Sequence, residues 1–181
     1  MHKLIFIFSM LLVASCSNTS ENELDKVVEQ IESNTMDTET TSDTAAEVVG
    51  IGGIFYYSED PTKTQQWYRD NLGMKLNNWG ASFESRNARK PEERNYLQWT
   101  VFPEKSEYLS PSNKDFMINY RVRNLEKLVA RLRANGVTIL DTLKEYDFGK
   151  FIHIMDADST KIELWEPRDT ILTKMGGPTN K

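Results

Sequence analysis

Three textures of hydrophobic and polar positions follow one another along the chain. Leu4 to Val13 is an apolar run interrupted only by Ser9. Ser17 to Val48 is polar almost throughout, with no proline and no aromatic residue. From Val49 onward the pattern switches repeatedly between a period of two and a period near 3.6, which predicts strands and helices in turn. Val49–Tyr57 is a β-rich run holding Gly50, Gly52 and Gly53. Ser58-Glu59-Asp60 supplies an N-cap, Pro61 suits the first helical position, and Gly73 ends a helix carrying Thr64, Trp67, Tyr68 and Leu72. Trp67 and Tyr68 are expected on its core face. Met74–Trp79, Ala81–Arg86 and Tyr96–Phe102 read as strands, the last stopped by Pro103, with Asn87–Arg94 as a charged loop.

The pattern then restarts. Glu104–Asp115 is a polar connection with Tyr108 and Leu109 as its apolar pins. Phe116–Val122 is a strand, and Asn124 is the expected cap of a helix. Leu125, Leu128, Val129 and Leu132 give that helix an i, i+3, i+4, i+7 stripe, and Asn135-Gly136 stops it. Val137–Leu140 follows as a strand. Phe151–Met155 and Lys161–Trp165 form a pair joined by the turn residues Asp156–Ser159, and Pro167 ends the pairing. The caps Asp60 and Asn124 stand 64 residues apart, and the stops Gly73 and Gly136 stand 63 apart. Two copies of a βαβββ unit account for this spacing. Each copy would put its helix on one face of its sheet and leave the other face to curl into a groove, an α+β architecture.

Charge and composition change the reading of the N-terminal part. The chain carries a net charge of −5, and Ser17–Val48 alone holds nine acids against the single base Lys26. Such a segment buries too little apolar surface to offset its ordering entropy, and reads as a solvated tether. Leu24, Val27, Val28 and Ile31 nonetheless sit at helical spacing within it. The remainder is nearly neutral, which gives no footprint for a nucleic-acid partner. Leu4–Val13 is too short to span a bilayer, for which about 20 residues are needed. Preceded by Met1-His2-Lys3 and followed by Val13-Ala14-Ser15-Cys16, it resembles the lipobox of bacterial lipoprotein signal peptides. The resemblance implies that Cys16, the only cysteine, is lipidated and that the protein is lipid-anchored to a bacterial membrane in the cell envelope. The alternative is a plain secretory signal with an incidental cysteine. The domain plan is therefore a signal peptide at 1–15, an acidic tether at 16–48, a folded domain at 49–168 and a C-terminal tail at 169–181.

The repeat, with Trp67-Tyr68-Arg69-Asp70-Asn71-Leu72-Gly73 in its first half and Ile162-Glu163-Leu164-Trp165-Glu166-Pro167 in its second, resembles the vicinal oxygen chelate superfamily of glyoxalases, bleomycin-resistance proteins and extradiol dioxygenases. The resemblance implies two βαβββ units paired into a cup-shaped mixed sheet with helices on the outside. Metalloenzymes of this group hold a divalent cation through about four side chains on cup-facing strands. The corresponding positions here fall on Gly53, Gln98, Met117 and Glu163. Only Glu163 suits such a cation well; Gln98 is a weak oxygen ligand, and Met117 offers a soft thioether. The resemblance thus implies the cup, while leaving a divalent metal as an alternative to the metal-free state expected from these residues. Gly53 is expected to leave volume in the cup where an imidazole would otherwise sit.

Strand alternation assigns the cup face. It should comprise Phe55 and Tyr57, then Gln98, Thr100 and Phe102, then Met117, Asn119 and Arg121, and finally Glu163 and Trp165. An aromatic wall with a few polar anchors suits a small apolar or aromatic molecule. The same side chains would otherwise simply fill the cup, with Arg121 and Glu163 paired to each other. Glu163 and His153 are the candidate acid–base groups, His153 otherwise being an interior imidazole satisfied by a neighbour. Two functions follow: a membrane-anchored, metal-free cup that sequesters or senses a small molecule, or a metal-dependent glyoxalase-type lyase, isomerase or dioxygenase with an altered ligand set. The superfamily resemblance leaves room for a homodimer in both.

Overall fold

The computed structural model describes residues 45–181; Cys16, the signal segment and nearly all of the tether lie outside the described residues. Seven strands form one open mixed sheet: β1 (Glu47–Ser58), β2 (Ala81–Arg86), β3 (Arg94–Pro103), β4 (Phe116–Arg123), β5 (Lys144–Tyr146), β6 (Gly149–Met155) and β7 (Lys161–Pro167). Their spatial order is β2-β3-β1-β4-β7-β6-β5. The first strands of the two sequence halves, β1 and β4, meet antiparallel at the centre, and each is flanked by the last strand of its own half in parallel. The α+β fold of two related halves expected from the repeat is thus present.

Helix α1 (Pro61–Leu72) begins where Asp60 accepts a hydrogen bond from the Lys63 amide and ends at Gly73, whose φ of 66° is left-handed. Tyr68 packs on Trp99 and Tyr56 beneath it. Trp67 is 54% exposed, so it does not belong to the core face expected for it. Helix α2 (Leu125–Ala134) buries Leu125, Leu128 and Val129 against Val122, Ile152, Ile154 and Leu164 on the same outer sheet face. Asn124 does not cap α2 with its side chain, since its own φ of 51° points the backbone elsewhere. The Glu166 carboxylate from β7 accepts from the Asn124 and Leu125 amides instead, at 2.8 and 3.2 Å. A carboxylate there also meets the positive end of the helix dipole.

Three expected features differ. Met74–Trp79 and Val137–Leu140 are not strands; each contributes one isolated bridge, Asn77 with Gly80 and Ile139 with Ile154. The outer strand of the second half is instead β5, which packs its backbone on β6. The folded unit also begins and ends outside 49–168. Glu47 and Val48 already pair with β4. The 169–181 stretch folds back as helix α3 (Asp169–Met175), after which Asn180 exchanges backbone hydrogen bonds with Ser82 and Glu84 along the exposed edge of β2. An unpaired edge strand is costly to leave open, and this short segment covers it.

Leu128 sits at the centre of the packing between α2 and the sheet. Leu128→Ala is expected to lower the unfolding free energy by about 2–5 kcal/mol, read from the midpoint of urea denaturation at unchanged slope.

Candidate functional site

One rung crosses the four central strands. Gln98 on β3 stands opposite Gly53 on β1, Gly53 opposite Asn119 on β4, and Asn119 opposite Glu163 on β7; His153 on β6 continues the row. Because side chains alternate, all of these share the face opposite α1 and α2. Phe55, Tyr57, Thr100, Phe102, Met117, Arg121 and Trp165 lie on rungs to either side of it. The cup face assigned from alternation is therefore one face. The rung differs from expectation at one strand: Asn119, not Met117, is level with Gln98, Gly53 and Glu163. Met117 belongs two residues along, fully buried with Phe55 and Leu109.

Glu163 is the centre of the site. Its side chain is almost wholly buried. Asn119 Nδ2 donates to Oε1 at 2.7 Å, and the Tyr108 hydroxyl donates to Oε2 at 2.8 Å. His153 Nε2 lies 3.0 Å from Oε2, an ion-pair contact outside good hydrogen-bond alignment. The other imidazole nitrogen, Nδ1, is 2.8 Å from Asp141 Oδ2, and the His153 amide donates to Asp141 Oδ1 at 2.8 Å. An ionised carboxylate only accepts, so a carboxylate beside each ring nitrogen favours a proton on both. His153 thus stands between two carboxylates, a setting that favours the imidazolium form. Burial alone would push its pKa down, but the bonds to Glu163 and Asp141 outweigh this and raise it. Burial would likewise push Glu163 up, yet bonds from His153, Asn119 and Tyr108 hold it below the usual carboxylate value. Asp141 follows the same balance, burial opposed by the His153 bonds, with a net lowering.

Arg121 does not pair with Glu163. It is buried in a second cluster, donating to both Asp169 oxygens at 2.6 Å and to Asn95 Oδ1 at 3.1 Å, with its guanidinium 5.1 Å from the Trp165 ring centre. Gln98 and Thr100 also turn away from Glu163: both donate to the Trp79 carbonyl, at 3.1 and 2.7 Å, and Gln98 Oε1 accepts from Ser82. They hold the 77–80 turn against the sheet. The volume expected at Gly53 is taken by the chain's own side chains, since a β-carbon there would lie 2.5 Å from Phe55 Cζ and 3.1 Å from Asn119 Cβ. Gly52, brought to the same face by a register shift, is equally confined: its β-carbon would overlap Asn119 Oδ1 and lie 2.7 Å from Trp165 Cε3. The concavities lined by Lys63, Thr64, Trp67 and Tyr68 and by Glu145, Lys150, Glu166, Pro167 and Arg168 lie outside the cup face.

Residues that sequence reasoning did not assign complete the site. Asp141 and Asp169 supply the counter-charges. Lys161, on the same parity as Glu163, is buried and donates to the Tyr108 carbonyl at 2.6 Å; burial lowers its pKa. Tyr108 comes from the 104–115 connection, where an aromatic and a leucine in a polar loop are the visible signal.

A divalent cation in the cup would have to draw its donors from this rung. Gly53 offers no atom, Asn119 directs its amide nitrogen at Glu163, Gln98 Oε1 already accepts from Ser82, and Glu163 is engaged at both oxygens. Among the described residues, no three His, Cys, Asp or Glu side chains converge as a cage. These residues do not fit a hard or borderline divalent ion, which asks for at least three free oxygen or nitrogen donors.

Comparison with known proteins agrees with the architecture. The profile of the Glyoxalase/Bleomycin resistance protein/Dioxygenase superfamily matches residues 50–164. The chain belongs to this superfamily. Among solved structures, a Streptomyces coelicolor methylmalonyl-CoA epimerase in complex with 2-nitronate-propionyl-CoA is similar at 13% identity and a TM-score of 0.51, over 67% of this chain and 99% of that one. Methylmalonyl-CoA epimerase from Mycobacterium tuberculosis matches at 21% identity and 0.46, over 70% and 93%. A superfamily member from Vibrio splendidus 12B01 matches at 15% and 0.40, over 67% and 99%. No curated protein matches the chain.

The Asp141–His153–Glu163 row gives stability a defined pH window. The raised His153 value means that its contribution is complete below the ordinary histidine pKa of about 6.5 and is lost as pH rises through the folded value. The lowered Asp141 and Glu163 values mean that their contribution is complete above about pH 4 and is lost as pH falls through theirs. Urea denaturation across a pH series should place the greatest stability between about pH 4.5 and 6. In His153→Gln the decline on the alkaline side should flatten.

Proposed function

We propose that this protein is a metal-free, small-molecule-binding member of its superfamily, held at a bacterial membrane through lipid on Cys16 and acting by sequestration or sensing, as bleomycin-resistance proteins do. The observation that carries the reading is the Gln98–Gly53–Asn119–Glu163 rung. Where the superfamily's metalloenzymes would present ligands, this chain presents a glycine, a glutamine amide engaged with Ser82 and the 77–80 turn, an asparagine amide that donates to Glu163, and one carboxylate already in contact with His153. The surrounding wall of Phe55, Phe102, Met117 and Trp165 is apolar and mostly aromatic, which favours a small aromatic molecule over a polar one.

One observation favours a second reading. His153 and Glu163 are in direct contact, with Asp141 orienting the imidazole, an arrangement suited to moving a proton. A glyoxalase-type lyase or isomerase with an altered ligand set would use these two residues as its acid and base.

Calorimetric titration of the purified protein with zinc, nickel, manganese and iron(II) separates the two. No tight stoichiometric binding is expected. One-to-one binding that disappears in Glu163→Ala would instead promote the metal-dependent enzyme. Membrane attachment is tested by Cys16→Ala, which should move the protein from the membrane fraction to the soluble one and abolish fatty-acid labelling. Continued sedimentation of that variant with membranes would refute the lipid anchor.

A further inference from the structure

The connection between β3 and β4 lays one side chain across the cup. Tyr108 stacks on Phe102 with ring centres 4.7 Å apart and planes at 20°. Phe55 and His153 meet it edge-on, each at 6.1 Å. Lys161 Nζ stands 5.4 Å from the ring centre, and Glu163 Oε2 accepts its hydroxyl at 2.8 Å. This is a complete recognition site for one functional group. It offers a flat slot, a cation at the ring face and an ionised acceptor at the hydroxyl.

We propose that the cup's ligand is a neutral phenol, and that it binds by displacing the Tyr108 side chain from this seat. The inference rests on reading the cup as a small-molecule site and names the chemistry that site takes. Three observations support it. First, Tyr108 is 38% exposed while every wall of its seat except Phe102 is buried, so the seat opens to solvent through Tyr108 itself. Second, the loop is held without that side chain. Leu109 is fully buried against Phe55 and Met117. The Tyr57 hydroxyl donates to the Ser106 carbonyl at 2.7 Å, the Ser112 hydroxyl to the Ser159 carbonyl at 2.7 Å, and Lys161 to the Tyr108 carbonyl. Rotating the Tyr108 side chain outward breaks none of these. Third, the acceptor survives the exchange. Asn119 and His153 continue to compensate the Glu163 charge, and Oε2 is left with one empty hydrogen-bonding position. A phenolic hydroxyl refills it; an arene of the same shape does not, and leaves a buried carboxylate oxygen under-satisfied.

The protonation state follows from the same geometry. Burial, then the charge on Glu163, push the Tyr108 hydroxyl well above its ordinary pKa. The seat therefore rejects a phenolate. An acidic nitrophenol, ionised at neutral pH, should be excluded where an ordinary phenol is accepted. Tyr108 acts as a tethered competitor, and the apparent affinity of an incoming phenol is reduced by the fraction of molecules in which the tyrosine is seated.

The test titrates the full chain at neutral pH with p-cresol, which reproduces the tyrosine side chain, and with toluene, which lacks only the hydroxyl. Wild type should bind p-cresol saturably, one to one. Tyr108→Ala should bind it at least about tenfold more tightly, because the competitor is gone. Tyr108→Phe, which keeps the ring and is the safer variant for folding, should shift in the same direction. Toluene should bind each protein at least about tenfold more weakly than p-cresol. Glu163→Gln should narrow that gap. The proposal is overturned if wild type binds no p-cresol while Tyr108→Ala does, since the seat is then only packing for the tyrosine. It is also overturned if p-cresol and toluene bind wild type equally well, and in that case the cup remains a small-molecule site and only the phenol assignment falls. If neither probe binds any of the proteins, both readings fall together.

Discussion

A carboxylate almost wholly withdrawn from water sits on the cup face, and the rest of the site is arranged around compensating its charge. Glu163 on β7 is flanked by Asn119 from one neighbouring strand and His153 from the other, and capped by Tyr108 from a loop. Removing a carboxylate from water costs several kcal/mol unless charge and hydrogen bonds are returned to it. Here the return comes from three separate parts of the chain, so the carboxylate is satisfied only when β4, β6, β7 and the 104–115 loop are all in register. Asp141 extends the dependence by one step, because without it the imidazole has less reason to remain charged.

The same logic explains the glycines of β1. Asn119, Arg121 and Trp165 are large polar or aromatic side chains crowded onto the inner face of a curved sheet. They fit because the strand opposite them has no side chain at Gly52 and Gly53. What reads in sequence as an open slot is in the fold a clearance already spent on the chain's own interior. Asn119 Oδ1 and Trp165 Nε1, two buried cup-face atoms without a hydrogen-bond partner, belong to side chains of this crowded region. It is the part of the face where packing and hydrogen-bond geometry compete most directly.

Much of this was legible from residue order, and the limits have physical causes. Helix α1 was marked by Asp60, Pro61 and Gly73, and helix α2 by its leucine and valine stripe, because caps and periodicity act locally. The cup face was legible because alternation along a strand fixes which side a residue takes. The rung was not: Met117 and Asn119 have equal parity, and only the pairing of β4 with β1 and β7 decides which of them stands level with Glu163. Asp141 and Asp169 were invisible for a related reason. Each is an ordinary acid in a connecting or terminal segment, and its role exists only through a contact with His153 or Arg121 from a distant element. The absent strand at Met74–Trp79 reflects a turn held by side-chain hydrogen bonds from Gln98 and Thr100, which periodicity does not register.

The ion pair between Arg121 and Asp169 bears on where this domain can be cut. The superfamily profile stops at residue 164, and the last cup strand ends at Pro167. A fragment trimmed to either boundary would keep a buried guanidinium on the floor of the cup and discard the carboxylate that answers it. It would also strip the cover from the outer edge of β2, where Asn180 now lies. The smallest piece of this chain able to stand alone is thus longer than its family outline, and its C-terminus is as much a part of the cup as the strands are.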